Sequence, residues 1–351
     1  MCAQTTSWNG GAPTGGIILD ETFQIHVLEL LGVSGATTSQ AGAHARLRTP
    51  NSHTDNDAFA SHVPLLLGPH ETLLAPWGLF FSSKEFSYIL TLMKHALKRL
   101  IKNILYGVRL LLPSPRNRAV VLVYHSIGHN SLPFTVSPTV FQQHMAWLHE
   151  QHFTVVSLDT LMDMKRRGDI PPKTITITFD DGYRDNLIEA FPILSRYNFP
   201  STIFLMTSDF GKVRTLHGVP LEVLSEEEIR TLHASGLVAI EPHSVTHPKL
   251  NEVSAENVRR EISESARIID TLLSKHSQHF AYPKGRYNQT VLDVMRTTDM
   301  HYGYTTKNGC VTPRSVPFEI PRNGIGYDTT MIEFKAIAKS GRVTRHDIFR
   351  R

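Results

Sequence analysis

The sequence predicts an α/β fold in which a largely parallel sheet closes, or nearly closes, into a barrel. Three observations carry this expectation. Ala119–Tyr124 and Thr174–Phe179 are unbroken runs of β-branched and apolar residues, as in strands covered on both faces. From Arg118 onward, strand signals alternate with helical ones. At least six such β-α units recur, which favours a barrel over an open doubly wound sheet.

In chain order, the strand Ala119–Tyr124 leads to a helix opened by Ser137 and Pro138 and running to about Gln151. Val140, Phe141, Met145 and Leu148 supply its apolar face. A short strand is expected at 154–156, a helix from Leu158, and the second buried strand at Thr174–Phe179. Helices then fall at 185–197, 225–235, 254–274 and 288–298, with strands at 201–206, 237–240 and 279–282 between them.

The segment before this region differs in character. Residues 1–92 are rich in Gly, Ser, Thr, Ala and Pro and hold no sustained period, so they read as a low-order extension, and Met93 is a candidate true start of the protein. Residues 93–117 form a basic amphipathic helix and linker, 118–335 the main domain, and 336–351 a polar tail. In the helix, Leu97, Leu100, Ile101, Ile104, Leu105, Val108, Leu111 and Leu112 share one face, with lysines and arginines on the other. Two readings of 94–112 stay open: peripheral contact with an anionic membrane surface, or packing on the domain with the charges towards water.

Composition excludes several classes. The 351 residues carry a formal net charge of +4. Seven basic residues and no acidic one lie between Met93 and Arg118, so the remainder is net negative. General nucleic-acid binding, which needs many cations, is not expected. Cys2 and Cys310 fit no metal-ligand spacing and build no disulfide framework. No basic-then-apolar signal opens the chain, and no run approaches the ~18 apolar residues of a spanning helix.

Chemistry concentrates at strand ends, where barrels place their sites. Asp180 and Asp181 close the strand Thr174–Phe179; paired carboxylates there need a cation or proton to neutralise them, although Asp-Gly is also a turn signal. His243 and His247 follow the strand at 237–240, four residues apart, a spacing that lets two imidazoles meet one ion. Two imidazoles and one carboxylate leave a coordination position open for water, the mark of a catalytic site.

The residues Ile177-Thr178-Phe179-Asp180-Asp181-Gly182-Tyr183-Arg184-Asp185-Asn186 and His243-Ser244-Val245-Thr246-His247-Pro248 closely resemble the polysaccharide deacetylase family, or NodB-homology domain. Tyr124-His125-Ser126, Phe134-Thr135-Val136-Ser137-Pro138 and Phe280-Ala281-Tyr282-Pro283-Lys284-Gly285 look like its poly-N-acetylglucosamine deacetylase branch, and Pro321-Arg322 like that branch's Arg-bearing segment. The resemblance covers about 119–327. It implies a distorted (β/α) barrel with one divalent metal, zinc foremost and nickel or cobalt as alternatives. Asp181, His243 and His247 would be the ligands and Asp180 the general base; metal lowers the pKa of bound water from ~15.7 towards ~7. The backbone N–H of Lys284 would help hold the oxyanion.

Two departures from the family follow. No Leu-x-His motif follows Arg322, so His125, at the end of the first barrel strand, becomes the candidate acid. Ala281 stands where many relatives carry an arginine that orients the base, and Arg322 is the candidate to compensate. Tyr282, Pro283, Lys284 and Arg322 are the candidate substrate-binding residues. The implied reaction is removal of N-acetyl groups from a glycan. An O-acetyl esterase or non-sugar amidase on the same residues, and a non-catalytic carbohydrate-binding barrel, are the rivals. Family resemblance favours an extracytoplasmic or membrane-associated location.

Overall fold

The computed structural model describes residues 72–74, 80–111 and 114–341, and the chain divides into two units, Met1–Ile104 and Leu105–Arg351. In the first, β1 (Thr72–Leu74) pairs antiparallel with β2 (Phe80–Ser82), and α1 (Ser83–Leu111) begins immediately after. The helix starts at Ser83, not at 94, so the boundary drawn at Met93 falls inside it. Phe86, Ile89, Leu90 and Met93 already keep helical spacing, and no Gly or Pro interrupts 83–93. The change to basic composition is therefore not a conformational break. Most of the expected extension at 1–92 lies outside the described residues.

The second unit opens with β3 (Ala119–Tyr124), buried at every position, followed by the short parallel pair β4 (Ser126–Ile127) and β5 (Thr135–Val136). Helix α2 (Pro138–Glu150) is capped by the Ser137 side chain accepting from the Val140 N–H. Then come β6 (Thr154–Val155), α3 (Leu158–Arg167) and β7 (Thr174–Phe179). The helix expected at 185–197 begins as one π turn, Asn186–Ala190, and continues as α4 (Phe191–Tyr197). Next are β8 (Ser201–Leu205), the hairpin β9 (Val213–Leu216) and β10 (Val219–Glu222), α5 (Glu226–Ala234) with a Ser225–Glu228 capping box, and β11 (Val238–Pro242). Helix α6 (Ala255–Leu273), β12 (His279–Ala281), α7 (Gln289–Met295), β13 (Tyr302–Tyr304), β14 (Asn323–Gly324) and α8 (Met331–Ser340) complete the described chain. Helix α8 crosses the expected start of a polar tail at 336: Phe334, Ile337 and Ala338 are buried at i, i+3, i+4 spacing.

The main sheet is parallel in the order β11-β8-β7-β3-β14, with β6 pairing with the first residues of β7. β12 and β13 form a separate parallel pair, joined towards β14 by a bridge from Tyr304 to Ile320. Among the described residues no ladder joins β11 to β12. There the Glu241 carboxylate accepts the Gln278 and His279 N–H groups at 3.2 and 3.0 Å, so a side chain spans the seam. The barrel is thus distorted and held together at one place by side chains. Its interior and the helix-facing layer are filled by branched and aromatic residues, Leu122, Ile177, Phe179, Ile203 and Ile240 among them.

Candidate active site

The carboxyl ends of β3, β7 and β11, with the segment leading into β14, converge on one cluster. β7 delivers Asp180 and Asp181. Between them the backbone turns left-handed, Asp181 at φ 70° and Gly182 at φ 71°, and a Cβ on Gly182 would lie 2.1 Å from Leu205 Cδ2. The two carboxylates reach different partners as a result.

Asp180 is buried in a two-pronged pair with Arg322: Nη1–Oδ1 is 2.6 Å and Nη2–Oδ2 2.7 Å. Arg322 itself is wholly enclosed, donating from Nε to the Thr305 carbonyl at 3.1 Å and lying over the Phe204 ring. Burial alone would raise the Asp180 carboxyl. The Arg322 guanidinium and the neighbouring His243 and His125 outweigh it and hold the group well below the usual carboxylate range.

Asp181 faces His243 and His247. Its Oδ1 lies 3.7 Å from His243 Nε2 and 3.4 Å from His247 Nε2, and one ligand atom from each residue falls within 4.8 Å of the others. Two ligands on a tetrahedral ion with bonds of ~2.1 Å stand about 3.4 Å apart. Asp181 Oδ2 accepts from the Tyr183 hydroxyl at 2.9 Å, whereas buried Oδ1 has no hydrogen-bond partner. His243 Nδ1 sits 2.8 Å from the Ala281 carbonyl, which accepts only if Nδ1 carries the proton. Its Nε2 therefore presents a lone pair towards a carboxylate oxygen, an arrangement that a cation relieves. Burial, then the adjacent His243, lowers His247 to about 4, so its ring is neutral at pH 7, the form that binds metal. The residues present fit a divalent ion.

His125 follows β3 half-buried, its ring 5.4 Å from that of Phe134 and its carbonyl accepting from Asn186 Nδ2 at 2.8 Å. Its electrostatic effect on both aspartates places it at the same cluster. Lys284 is exposed, at φ 55°, and its charge is felt by His247. Two expected substrate contacts are corrected. Tyr282 is fully buried, stacked on Tyr287 and donating to the Phe318 carbonyl at 3.0 Å, so it supports the loop from below. Arg322 has no exposed surface, and two of its nitrogens are committed to Asp180, so it holds that carboxylate and offers no surface to a glycan. Pro283 is buried beside Lys284. Three contributors carried no separate signal in the sequence: the Tyr183 hydroxyl, the Ser244 hydroxyl that accepts the His247 N–H at 3.0 Å, and Arg214, whose charge acts on His247.

Residues 167–303 match the family model for polysaccharide deacetylases. The chain is 31% identical over 194 residues to YxkH of Bacillus subtilis, whose name places it in the same family; the match covers 55% of this chain and 66% of that protein. It is 27% identical over 199 residues to the poly-beta-1,6-N-acetyl-D-glucosamine N-deacetylase of Staphylococcus aureus, covering 54% and 67% respectively. The chain thus spans about two thirds of the length of these relatives. Among solved structures, IcaB from Ammonifex degensii superposes with a TM-score of 0.57 at 23% identity, over 63% of this chain and 96% of that one. The distorted barrel is of the NodB-homology type.

Proposed function

Because this chain carries a domain of the polysaccharide deacetylase family, we propose that it hydrolyses N-acetyl groups on a glycan of the N-acetylglucosamine type, releasing acetate and a free amine. The observation that carries this reading is the division of labour at the end of β7: Asp181 with two neutral imidazoles, and Asp180 held apart by Arg322.

Asp181, His243 and His247 would hold one divalent ion, zinc foremost, with nickel and cobalt as alternatives. When bound, the ion supplies Lewis acidity and makes water nucleophilic near neutral pH. The chain's own groups do the remaining work. Asp180, ionised and fixed, takes the proton from the attacking water through a lone pair that Arg322 leaves open. Tyr183 holds Asp181 Oδ2, leaving Oδ1 towards the imidazoles. The Lys284 N–H would donate to the oxygen of the acetamide carbonyl as charge builds on it. His125 gives a proton to the departing nitrogen, without which the amine is a poor leaving group.

Acetate release is the direct test, using wild type and Asp180→Asn on N-acetylglucosamine oligomers and on acetylated xylan. N-deacetylation by wild type and its loss in the variant are expected. Release from xylan alone would point to an O-acetyl esterase. Glycan binding without turnover would point to a non-catalytic barrel.

A further inference from the structure

Helix α1 turns its apolar side to solvent. Within the second unit, Leu105, Val108 and Leu111 are 50%, 56% and 84% exposed, while Tyr106 is 6% exposed and Leu110 half-buried. The Lys339 ammonium fastens this end of the helix by donating to the Leu110 carbonyl. The helix therefore docks through its Tyr106–Leu110 side and leaves the more aliphatic row uncovered. Its earlier turns repeat the pattern, with Leu97, Leu100, Ile101 and Ile104 all exposed. Within the second unit, from Leu105 to Leu111, the row is roughly 9 Å long at ~1.5 Å per residue. Three adjacent aliphatic side chains left this far exposed mark an interaction surface.

Beside Leu110 lies a cleft of about 230 Å³ lined by Trp147, Phe153, Lys173, Lys335 and Lys339. Lys335 lies over the Trp147 ring at 5.7 Å and Lys173 over Phe153 at 5.9 Å. The hydrogen bonds of Lys173 and Lys339 go to the backbone carbonyls of Gln151 and Leu110, and among the described residues none of the three lysines pairs with a carboxylate. The helix sequence adds Lys94, Lys98, Arg99, Lys102 and Arg109 with no acidic residue from 93 to 118. Among the described residues no helix is long and apolar enough to cross a membrane.

We propose that this face docks on an anionic phospholipid bilayer. The row Leu105, Val108, Leu111 lies at the boundary between headgroups and acyl chains, and Lys173, Lys335 and Lys339 meet lipid phosphates. An exposed aliphatic row on a helix whose Leu110 borders three ammonium groups without carboxylate partners suits that boundary, whereas a soluble acidic polymer would leave the aliphatic row in water. The geometry also sets the direction of the active site. Lys173 directly precedes β7, and Asp180 and Asp181 directly follow it, roughly 20 Å away at ~3.3 Å per residue. The aspartates thus sit at the far ends of the strands, away from the bilayer.

The test is co-sedimentation of the full chain with vesicles containing phosphatidylglycerol or phosphatidylcholine alone. Binding to the anionic vesicles is expected to exceed binding to the neutral ones by more than about tenfold and to weaken with salt. Val108→Glu with Leu111→Glu should abolish it, and Lys173→Ala with Lys335→Ala should weaken it roughly thirtyfold, at about 1 kcal/mol per charge. Both pairs should keep the wild-type melting transition; if the first does not, the lysine pair decides. Equal binding to both vesicle types, or to neither, overturns the proposal, as does binding that ignores these variants. Binding to heparin that vesicles do not compete away would assign the cleft to acidic polymers. A dimer in light scattering that Val108→Glu with Leu111→Glu dissociates would assign the row to a second copy.

Discussion

Replacing Arg322 by Met tests the assignment of the base through a residue with no exposed surface. The change keeps bulk but removes both hydrogen bonds to Asp180 and the charge that opposes its burial. Breaking one side of a buried ion pair costs about 3–5 kcal/mol. For a domain of this size that corresponds to a fall in melting temperature of roughly 6–20 °C. The sign for activity follows from the carboxyl group. In the wild type it stays ionised far below neutral pH, so it imposes no acid limb on kcat in the working range. Without Arg322, burial dominates and raises its pKa above the usual range. The variant should then be weakest at acid pH and recover as pH rises and Asp180 ionises. At neutral pH, kcat should fall by about 10²–10⁴ with KM nearly unchanged, since general-base work is lost and glycan contacts are not. Arg322→Lys, which restores charge but not the planar fork, should lie between. Metal content, measured by elemental analysis, should stay at the wild-type level because Arg322 does not touch Asp181. A variant with wild-type pH profile and stability would refute the reasoning; so would one whose rate fell only as far as its metal did.

Other perturbations separate the remaining roles. His243→Ala and His247→Ala should each lower bound metal as well as rate, whereas Asp180→Asn should keep metal and lose about 10²–10⁴ in kcat; elemental analysis beside acetate release reads both. Gly182→Ala should destabilise by about 1–3 kcal/mol in denaturant titration, since the added carbon meets Leu205 and the residue sits at positive φ. Glu241→Ala should cost about 3–5 kcal/mol, because Lys275 and the Gln278 and His279 N–H groups lose their acceptor. Asp185, which accepts from Ser126 at 2.6 Å, is raised by burial to about 6. Its ionisation therefore weakens the fold as pH rises from ~3.9 through that value, by on the order of 3 kcal/mol at most. Asp185→Asn should accordingly gain stability relative to wild type between pH 4 and pH 7, and a gap that stays constant across that range would contradict the assignment.

The sequence announced what burial on both faces or a local cap makes visible. β3 and β7 read as unbroken apolar runs, and α2, α5 and α6 start after the serines that cap them. The Asp181, His243 and His247 cluster was legible because motif spacing encodes it: two histidines four apart and one carboxylate closing a strand. β13 and β14, three and two residues long, were not legible, since distant pairing partners create them. The hairpin β9–β10 was missed for a similar reason: its alternation is short, and all but one of its residues are exposed or half-buried. Arg322 was legible as the residue that orients Asp180, but it and Tyr282 fail as substrate contacts for another cause. Each side chain is consumed by a partner far away in sequence, Asp180 in one case and the Phe318 carbonyl in the other, and a local pattern cannot show which polar tip is already satisfied.

Charge accounting explains why the two aspartates need different neighbours. Asp180 and Arg322 cancel inside the barrel, giving a fixed neutral pair. Asp181 with two neutral imidazoles leaves one negative charge where water is largely excluded, and its Oδ1 lacks any partner. A monovalent counter-charge would only neutralise that pocket. A divalent ion would leave it net positive, which favours the negative charge that develops on a carbonyl oxygen under attack. Were both carboxylates ligands, the same ion would be neutralised and Arg322 would face no partner. The left-handed turn at Asp181, costing on the order of 1–2 kcal/mol for a residue with a side chain, separates the two roles within a single dipeptide.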